Sequence, residues 1–165
     1  MVKTLENLSK AFVGESQARN RYTFAAEIAK KQGLHVIEAV FTFTANQELA
    51  HANAFMKHLS EVTGENIEAD GTYPVEVTNS VIELLENAAH NEFEEYDNVY
   101  KSFAETAERE GNIPVASSFK EIGFSHNTLI PFSIALIAYS TCKNVGRHIS
   151  RISSSSFRSI SSKSV

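Results

Sequence analysis

The chain has 165 residues, of which 42 % are hydrophobic and 21 % charged, a composition typical of one globular domain. A net charge of −5 argues against a general nucleic-acid-binding surface, and a single cysteine excludes a disulfide scaffold or a cysteine-ligated zinc or iron–sulfur site. No apolar stretch of signal-peptide length opens the sequence, and its longest apolar run, 129–139, is too short to span a bilayer. We therefore expect a cytoplasmic protein that binds neither nucleic acid nor membranes.

Charge and serine content change abruptly near residue 124. All 20 Asp and Glu residues precede this point, whereas five of the 15 Lys and Arg residues follow it, and 12 of the last 42 residues are serine. We expect a folded domain over residues 1–140 and a disordered, serine-rich basic tail over 141–165, because the tail has too little apolar content to offset the entropy of ordering.

Two helices are predicted between the N-terminus and Gly64. Apolar residues recur at helical spacing from Thr4 to Lys31, and Gly33 interrupts the pattern. A second helical pattern follows directly and ends near Gly64. Residues 63–79 have no helical period and contain two glycines and a proline, which predicts a long connection.

Two further helices are predicted after this connection. Residues 80–83, SVIE, form a capping box that opens a third helix, which ends at Gly111. The predicted buried stripe of this helix consists of Val81, Leu85, Ala88, Val99 and Phe103. Asn112 and Pro114 then begin a fourth helix. No segment shows the alternation of polar and apolar residues that is typical of strands.

The order of short, long and short connections predicts the fold. Four helices connected in this way form two antiparallel hairpins joined by a crossover, which is the connectivity of ferritin-like four-helix bundles. The two halves also repeat, because the register that superimposes Tyr22 on Tyr100 also superimposes Gly33 on Gly111 and aligns four further identical pairs. The sequence therefore predicts an all-α bundle built from a duplicated helical hairpin.

Five residues able to bind a metal fall on predicted buried helix faces, namely Glu15, Glu48, His51, Glu92 and Glu95. Burying an ionised carboxylate is costly unless it pairs with a cation or binds a metal. Glu48 and His51 are three residues apart and project from the same side of their helix. Carboxylates combined with imidazole suit iron or manganese, and zinc is an alternative. The pattern predicts a metal site in the bundle core.

These residues also have interpretations that involve no metal. Glu15 can form a salt bridge with Arg19 on the same helix, and the acidic residues around Glu92 can form a solvated face. Tyr22 and Tyr100 either fill the core or form hydrogen bonds beside a metal site. Acids at matching depth on three helices favour the metal.

Three segments resemble the rubrerythrin family. Residues 11–22, AFVGESQARNRY, are closely similar to the first-helix motif of that family, and residues 44–52, TANQELAHA, to its second-helix metal motif. Residues 91–96, NEFEEY, followed by Tyr100, are similar to its third-helix pair of ligands. The resemblance covers residues 1–123.

The resemblance implies a non-haem di-iron site that reduces hydrogen peroxide to water, a role in oxidative stress, and a homodimer. The implied iron ligands are Glu15, Glu48, His51, Glu92 and Glu95, while Glu94 points outward. Tyr22 and Tyr100 are our candidates for catalytic residues beside the irons. Electrons usually arrive in this family through a rubredoxin-like domain with four cysteines, and a sequence with one cysteine needs an external rubredoxin-like donor instead.

The fourth helix departs from the family pattern. It should carry a second Glu-x-x-His, and the register of the internal repeat places these ligands at positions that hold His126 and Leu129. His126 is a candidate substitute ligand, whereas Leu129 cannot bind a metal, which leaves the second iron in doubt. We expect impaired peroxidase activity or, as the alternative, an iron-binding or iron-sequestering protein or an inactive relic.

The segment that begins at Phe124 carries a separate hypothesis. Acidic residues and family resemblance are lost together at this point, so we interpret the segment as a shifted reading frame or a gene-end scar. Because Pro131 interrupts any helix, we expect order to about Ile122, an irregular or kinked fourth helix to about Tyr139, and a mobile tail after Lys143.

Overall fold

A computed structural model describes residues 2–127 of the chain. Within this range there is no β-strand, and the helices are α1 (Val2–Lys31), α2 (His35–His58), α3 (Val81–Glu94), α4 (Tyr100–Arg109) and α5 (113–127). These helices form four rods. The first rod is α1, and the second is α2 with a 3-10 turn, Leu59–Val62, at its end. The third rod is α3 joined to α4 by a π-helical turn, Glu95–Val99, and the fourth is α5. The described residues thus form the expected all-α architecture of four rods.

The same type of turn closes both helical hairpins. After α1, Gly33 has a φ of +68°, its N–H bonds to Lys30 O at 2.9 Å, and Leu34 N bonds to Ala29 O at 2.9 Å. After α4, Gly111 has a φ of +80° and forms the equivalent pair of bonds. This bonding pattern is a Schellman motif, which needs a left-handed residue that only glycine adopts without strain. The structure therefore supports the predicted duplication of a hairpin, in which Gly111 repeats the role of Gly33.

The long connection, residues 63–80, ends at the predicted cap of α3. The Ser80 side chain accepts a hydrogen bond from Glu83 N at 3.3 Å, as a capping box requires. The Glu83 carboxylate does not return to Ser80 N. It accepts instead from the Thr78 hydroxyl at 2.6 Å, and Thr78 Oγ1 accepts from Ser80 N at 3.0 Å. The Thr78 hydroxyl thus bridges Ser80 N and the Glu83 carboxylate, and it fixes the end of the connection to the first turn of α3.

The predicted buried stripe of the third rod is wrong at Val99. This residue is 36 % exposed, while the neighbouring Tyr100 is 3 % exposed, followed by buried Ala104 and Ala107. A π-helical turn contains one more residue than an α-helical turn, so every residue after it is rotated relative to a continuous 3.6-residue period. The π turn therefore moves Tyr100 into the core in place of Val99.

The core consists of two apolar clusters separated along the bundle axis by a polar layer. One cluster centres on Tyr22, Ile37 and Phe41, and the other on Phe55 and Phe119. Along each of the first three rods, the buried acid lies in sequence between residues of the first cluster and residues of the second. This arrangement brings the predicted metal-binding residues to one level of the bundle.

The described part of α5 is helical through residue 127, five residues beyond Ile122, where we expected regular order to give way to an irregular or kinked helix. Asn112 begins this helix, since its side-chain oxygen accepts from Val115 N at 3.4 Å. The predicted kink at Pro131, the domain boundary at residue 140 and the tail lie outside the described residues. None of the described helices is long and apolar enough to cross a membrane.

Removal of the α3 cap should destabilise the fold. We expect Ser80→Ala to lower the free energy of unfolding by about 1 kcal/mol, because the N–H of Glu83 loses its acceptor. Urea unfolding followed by circular dichroism measures this change. Ser102→Ala, at an exposed position inside α4, is the matched control and should leave the midpoint unchanged or raise it slightly. Equal midpoints for Ser80→Ala and the parent would show that the cap does not stabilise α3.

Candidate metal centre

The polar layer collects six side chains from all four rods: Glu15 of α1, Glu48 and His51 of α2, Glu92 of α3, Glu95 of the π turn and His126 of α5. Glu15, Glu48 and His126 are at most 1 % exposed, and Glu92 is 2 % exposed. The structure thus brings the five predicted ligands together and adds a sixth candidate, His126.

The α1–α2 half of the centre contains Glu15, Glu48 and His51. His51 Nδ1 lies 3.3 Å from Glu15 Oε2 and 3.3 Å from Glu48 Oε2. Glu15 Oε2 and Glu48 Oε1 are buried and have no hydrogen-bond partner. Arg19 is exposed, so the alternative salt bridge with Glu15 is not supported. Unpartnered carboxylate oxygens beside an imidazole nitrogen are the arrangement that a metal ion would satisfy.

The α3–π half contains Glu92 and Glu95, which both approach His126. His126 Nδ1 lies 2.6 Å from Glu92 Oε2 and 3.3 Å from Glu95 Oε2. The neighbouring acids Glu94 and Asp97 are exposed. Both interpretations that the sequence left open therefore hold for different residues of the third rod. Buried Glu92 and partly exposed Glu95 face the centre, whereas Glu94 and Asp97 lie on a solvated face outside it.

Tyr22 and Tyr100 connect the two halves of the centre. The Tyr22 hydroxyl donates to Glu92 Oε1, and the Tyr100 hydroxyl donates to Glu15 Oε1. Each tyrosine thus bonds to the carboxylate of the other half, and both rings are also buried in the core. Burial, together with the nearby carboxylates, raises the pKa of both hydroxyls, so that they remain hydrogen-bond donors at neutral pH.

The π turn explains a mismatch in the internal repeat. Tyr22 follows Glu15 by seven residues, whereas Tyr100 follows Glu92 by eight. The additional residue lies in the π turn, Glu95–Val99, which allows Glu92 and Tyr100 to face the centre together. The turn also brings Glu95 close to His126, although the side chain of Glu95 is 23 % exposed.

His126 takes the position that the repeat assigns to a second Glu48. Its ring lies between the two halves, with Nε2 3.4 Å from Glu15 Oε1 and its centroid 5.1 Å from that of His51. Its Nε2 is buried and has no hydrogen-bond partner. Sequence analysis identified His126 only as a candidate substitute, and the structure places it at the middle of the centre. Position 129 lies outside the described residues.

Ser125 is a residue that sequence analysis missed. Its Oγ lies 3.1 Å from His51 Nε2 and donates to Ile122 O at 2.9 Å. Serine residues are common in this part of the chain, and no motif distinguishes this one. Only the packing of α5 against α2 shows its contact with a predicted ligand.

The buried acids of the centre hold protons unequally. Burial and the neighbouring Glu15 carboxylate raise the pKa of Glu48 well above its usual range. Burial also raises the pKa of Glu95, to about 8. For Glu15, burial acts in the same direction, but the close Glu48, His126 and His51 side chains outweigh it and hold the pKa well below its usual range.

His126 supplies positive charge to the metal-free centre. Burial by itself lowers the pKa of a histidine, but the Glu15 and Glu92 carboxylates outweigh this effect and raise the pKa of His126 well above its usual range. The protons held on Glu48 and Glu95 therefore lower the negative charge of the centre, and cationic His126 balances part of what remains. A metal ion entering the centre would take over this balancing role.

A cleft of about 480 Å³ lies beside the centre, between α1, the third rod and the long connection. Its lining includes Gln17, Arg21, Tyr73, Glu95 and Tyr100. Glu95 belongs both to this lining and to the centre. The cleft therefore meets the polar layer at Glu95, which is partly exposed, whereas Glu15, Glu48 and Glu92 are buried.

Comparison with known proteins identifies close relatives. The family model described as Rubrerythrin matches residues 6–124. The chain is 43 % identical over 121 residues to a rubrerythrin of Clostridium perfringens and 48 % identical over 122 residues to rubrerythrin-1 of Clostridium acetobutylicum. Each match covers 73 % of this chain and 62 % of the relative, so the chain spans less than two thirds of the length of these relatives.

Solved structures agree with the sequence matches. A partially reduced nigerythrin superimposes with a TM-score of 0.73 at 28 % identity, covering 82 % of this chain and 66 % of that chain. Symerythrin from Cyanophora paradoxa superimposes with a TM-score of 0.68 at 23 % identity, covering 82 % and 83 % of the two chains, which shows the shared fold. The ferritin-like four-helix bundle predicted from the sequence is confirmed.

The stability of the metal-free protein should fall as pH rises from 5 to 9. Glu48, Glu95 and His126 all have a raised pKa in the folded state, so each stabilises the fold below its unfolded pKa and loses this effect as pH rises through its folded pKa. For Glu95, this loss of stability occurs between pH 4.5 and about pH 8. The lowered pKa of Glu15 has the opposite sign, but its window lies below pH 4.5.

Thermal unfolding in the presence of a chelator measures this dependence. We expect the Tm to fall by at least about 3 °C between pH 5 and pH 9. Glu95→Gln should reduce the slope, because the amide has no proton to lose, whereas Glu94→Gln on the exposed face should retain it. A Tm that rises over this range would contradict the assigned protonation of the centre.

Proposed function

Because the chain belongs to the rubrerythrin family, we propose that it is a non-haem iron oxidoreductase that reduces hydrogen peroxide to water with electrons from an external rubredoxin-like donor. One observation carries the metal assignment. Glu15 Oε2, Glu48 Oε1 and His126 Nε2 are buried at one level of the core without hydrogen-bond partners. Buried polar atoms are rarely left unpaired, and these carboxylate and imidazole atoms are the donors that iron prefers, with manganese or zinc as alternatives.

The residues proposed to hold iron are Glu15, Glu48, His51, Glu92 and Glu95. Bound iron would supply the redox chemistry, passing electrons from the donor to peroxide. Each peroxide takes up two electrons and two protons, and its O–O bond breaks to yield two molecules of water. The protein must therefore admit peroxide, supply protons and keep the carboxylates in place.

The chain's own residues meet these requirements. Peroxide is proposed to enter through the cleft that reaches Glu95, whose side chain is 23 % exposed. Glu95 is the carboxylate that meets both this cleft and the polar layer, which is the position where a proton donor to a peroxide oxygen is needed. Tyr22 and Tyr100 hold Glu92 and Glu15 by hydrogen bonds, which keeps these carboxylates oriented while charge in the centre changes.

The proposed activity is impaired relative to the family pattern. The fourth helix has His126 and Leu129 where that pattern has a Glu-x-x-His. The centre therefore has one carboxylate fewer for bridging two ions. The alternative, an iron-binding or iron-sequestering protein or an inactive relic, predicts bound iron without peroxide turnover.

Two partners belong to the proposal. A rubredoxin-like iron site needs four thiolates, and the sequence has one cysteine, so the donor is separate from these 165 residues. A second copy of the chain is the other partner. Exposed apolar side chains on the α1–α2 hairpin, such as Phe24 and Phe43, each 60 % exposed, support a homodimer.

Removing either residue of the second-helix motif should abolish iron binding. We expect Glu48→Ala and His51→Ala to retain their helices, because each substitution removes an ionisable group from the centre as well as a ligand. Iron content by elemental analysis after anaerobic reconstitution, with circular dichroism for helicity, measures the effect. His90→Ala, at an exposed position of α3, is the matched control.

Peroxide turnover is then measured with reduced rubredoxin as the donor. We expect slow consumption of peroxide by the iron-loaded parent and by His90→Ala, and background consumption by Glu48→Ala and His51→Ala. Iron at the parent level in either ligand variant would refute the ligand assignment. Iron binding by the parent without any turnover would refute the peroxidase assignment in favour of the iron-binding alternative.

A further inference from the structure

We propose that the centre of this chain binds one divalent metal ion, held by Glu15, Glu48, His51 and His126, rather than the two ions that the family pattern implies. The inference rests on the metal binding in the proposed function, but it changes the number of bound ions and the set of ligands. His126 becomes a metal ligand, and Glu92 becomes the residue that orients it.

The four residues already converge on one point. Each offers one ligand atom, and these four atoms all lie within 4.8 Å of one another. Glu15, Glu48 and His126 are buried, and the side chain of His51 is 13 % exposed. Two imidazoles and two carboxylates around one position form a donor set that suits a single non-haem Fe²⁺ or a similar divalent ion.

Hydrogen bonding fixes the tautomer of His51. Ser125 Oγ donates its proton to Ile122 O at 2.9 Å, so it acts as an acceptor toward His51 Nε2 at 3.1 Å. His51 therefore carries its proton on Nε2 when neutral, and Nδ1 has a free lone pair. This lone pair faces Glu15 and Glu48, each with a carboxylate oxygen 3.3 Å from Nδ1.

Glu92 orients His126 in the same way. His126 Nδ1 lies 2.6 Å from Glu92 Oε2, which makes it the donor of this hydrogen bond. In the neutral ring, the lone pair then lies on Nε2, which faces Glu15 Oε1 at 3.4 Å. An imidazole held by a carboxylate on its far nitrogen is the usual arrangement of a metal-binding histidine. Both histidines thus direct their free nitrogen toward the same position.

The same contacts argue against a second ion. A carboxylate has two oxygens and can bridge two ions, whereas an imidazole held by a hydrogen bond on one nitrogen offers a single lone pair. His126 stands at the repeat position of Glu48, so this bridging capacity is lost. Glu92 is also occupied, since it accepts from both His126 and Tyr22. Among the described residues of α3 and the π turn, the only histidine is His90, which is exposed to solvent and is not part of the centre.

Titration of the metal-free chain with Co²⁺ tests the inference. We expect equilibrium dialysis with elemental analysis to give one Co²⁺ per chain. In the proton NMR spectrum of the Co²⁺ form, we expect two exchangeable resonances shifted by the paramagnetic ion. They arise from the imidazole N–H groups of His51 and His126, because each ligating ring keeps a proton on its far nitrogen.

Variants separate the roles of the residues. His126→Gln should weaken Co²⁺ binding by more than about 100-fold, which exceeds the usual effect of losing an orienting residue, and should remove one shifted resonance. Glu92→Gln should keep one ion and both resonances, and weaken binding by about 10- to 100-fold. His90→Gln, at an exposed position, should change neither quantity. If His126→Gln does not fold, His126→Glu is the second variant, and we expect it to lose the same shifted N–H resonance.

The outcomes distinguish this inference from the proposed function. Two Co²⁺ ions per chain, or a His126 variant that retains affinity and both resonances, would overturn the single-ion centre while metal binding stands. Failure of the parent chain to bind any Co²⁺ or Fe²⁺ would overturn both.

Discussion

The structure depends on the placement of four carboxylates in the core of a helical bundle, three of them buried and the fourth, Glu95, partly exposed. Each ionised carboxylate removed from water carries a large desolvation cost, and the apolar clusters on either side of the centre offer no compensation. The centre reduces this cost with imidazoles, with tyrosine hydroxyls and with protons held on Glu48 and Glu95. Under the proposed function, a metal ion of suitable charge would replace these protons and satisfy the layer.

Each of the two repeated hairpins provides a tyrosine that stabilises a buried carboxylate of the other hairpin. Tyr22 of the first half bonds to Glu92 of the second, and Tyr100 of the second half bonds to Glu15 of the first. Each half of the centre therefore takes a tyrosine hydroxyl from the other half, and these two hydrogen bonds form only when the hairpins pack together. The π turn preserves the exchange, because it corrects the one-residue difference in spacing between the two halves.

A single position breaks this symmetry. At the position where the repeat calls for a second Glu48, the chain has His126, and in the proposed single-ion centre its imidazole offers a ligand to one ion, whereas a carboxylate can bridge two. The remaining acid Glu92 then acts as the hydrogen-bond partner of His126. The two halves of the centre thus differ in chemistry although their helices, turns and tyrosines correspond, and the proposed activity follows the intact half.

The sequence by itself determined the rods and the burial of the acids. Gly33, Gly111 and the Ser80 cap act through local geometry, and the burial of Glu15, Glu48 and Glu92 follows from helical spacing, so these features are readable without a partner helix. The burial of Tyr100 in place of Val99 could not be predicted, because the spacing of apolar residues was interpreted on the assumption of an uninterrupted α-helix. The contacts of His126 with Glu92 and of Ser125 with His51 were decided only by tertiary structure, since they depend on the rotation and depth of α5 against the other rods, which no period within one helix encodes.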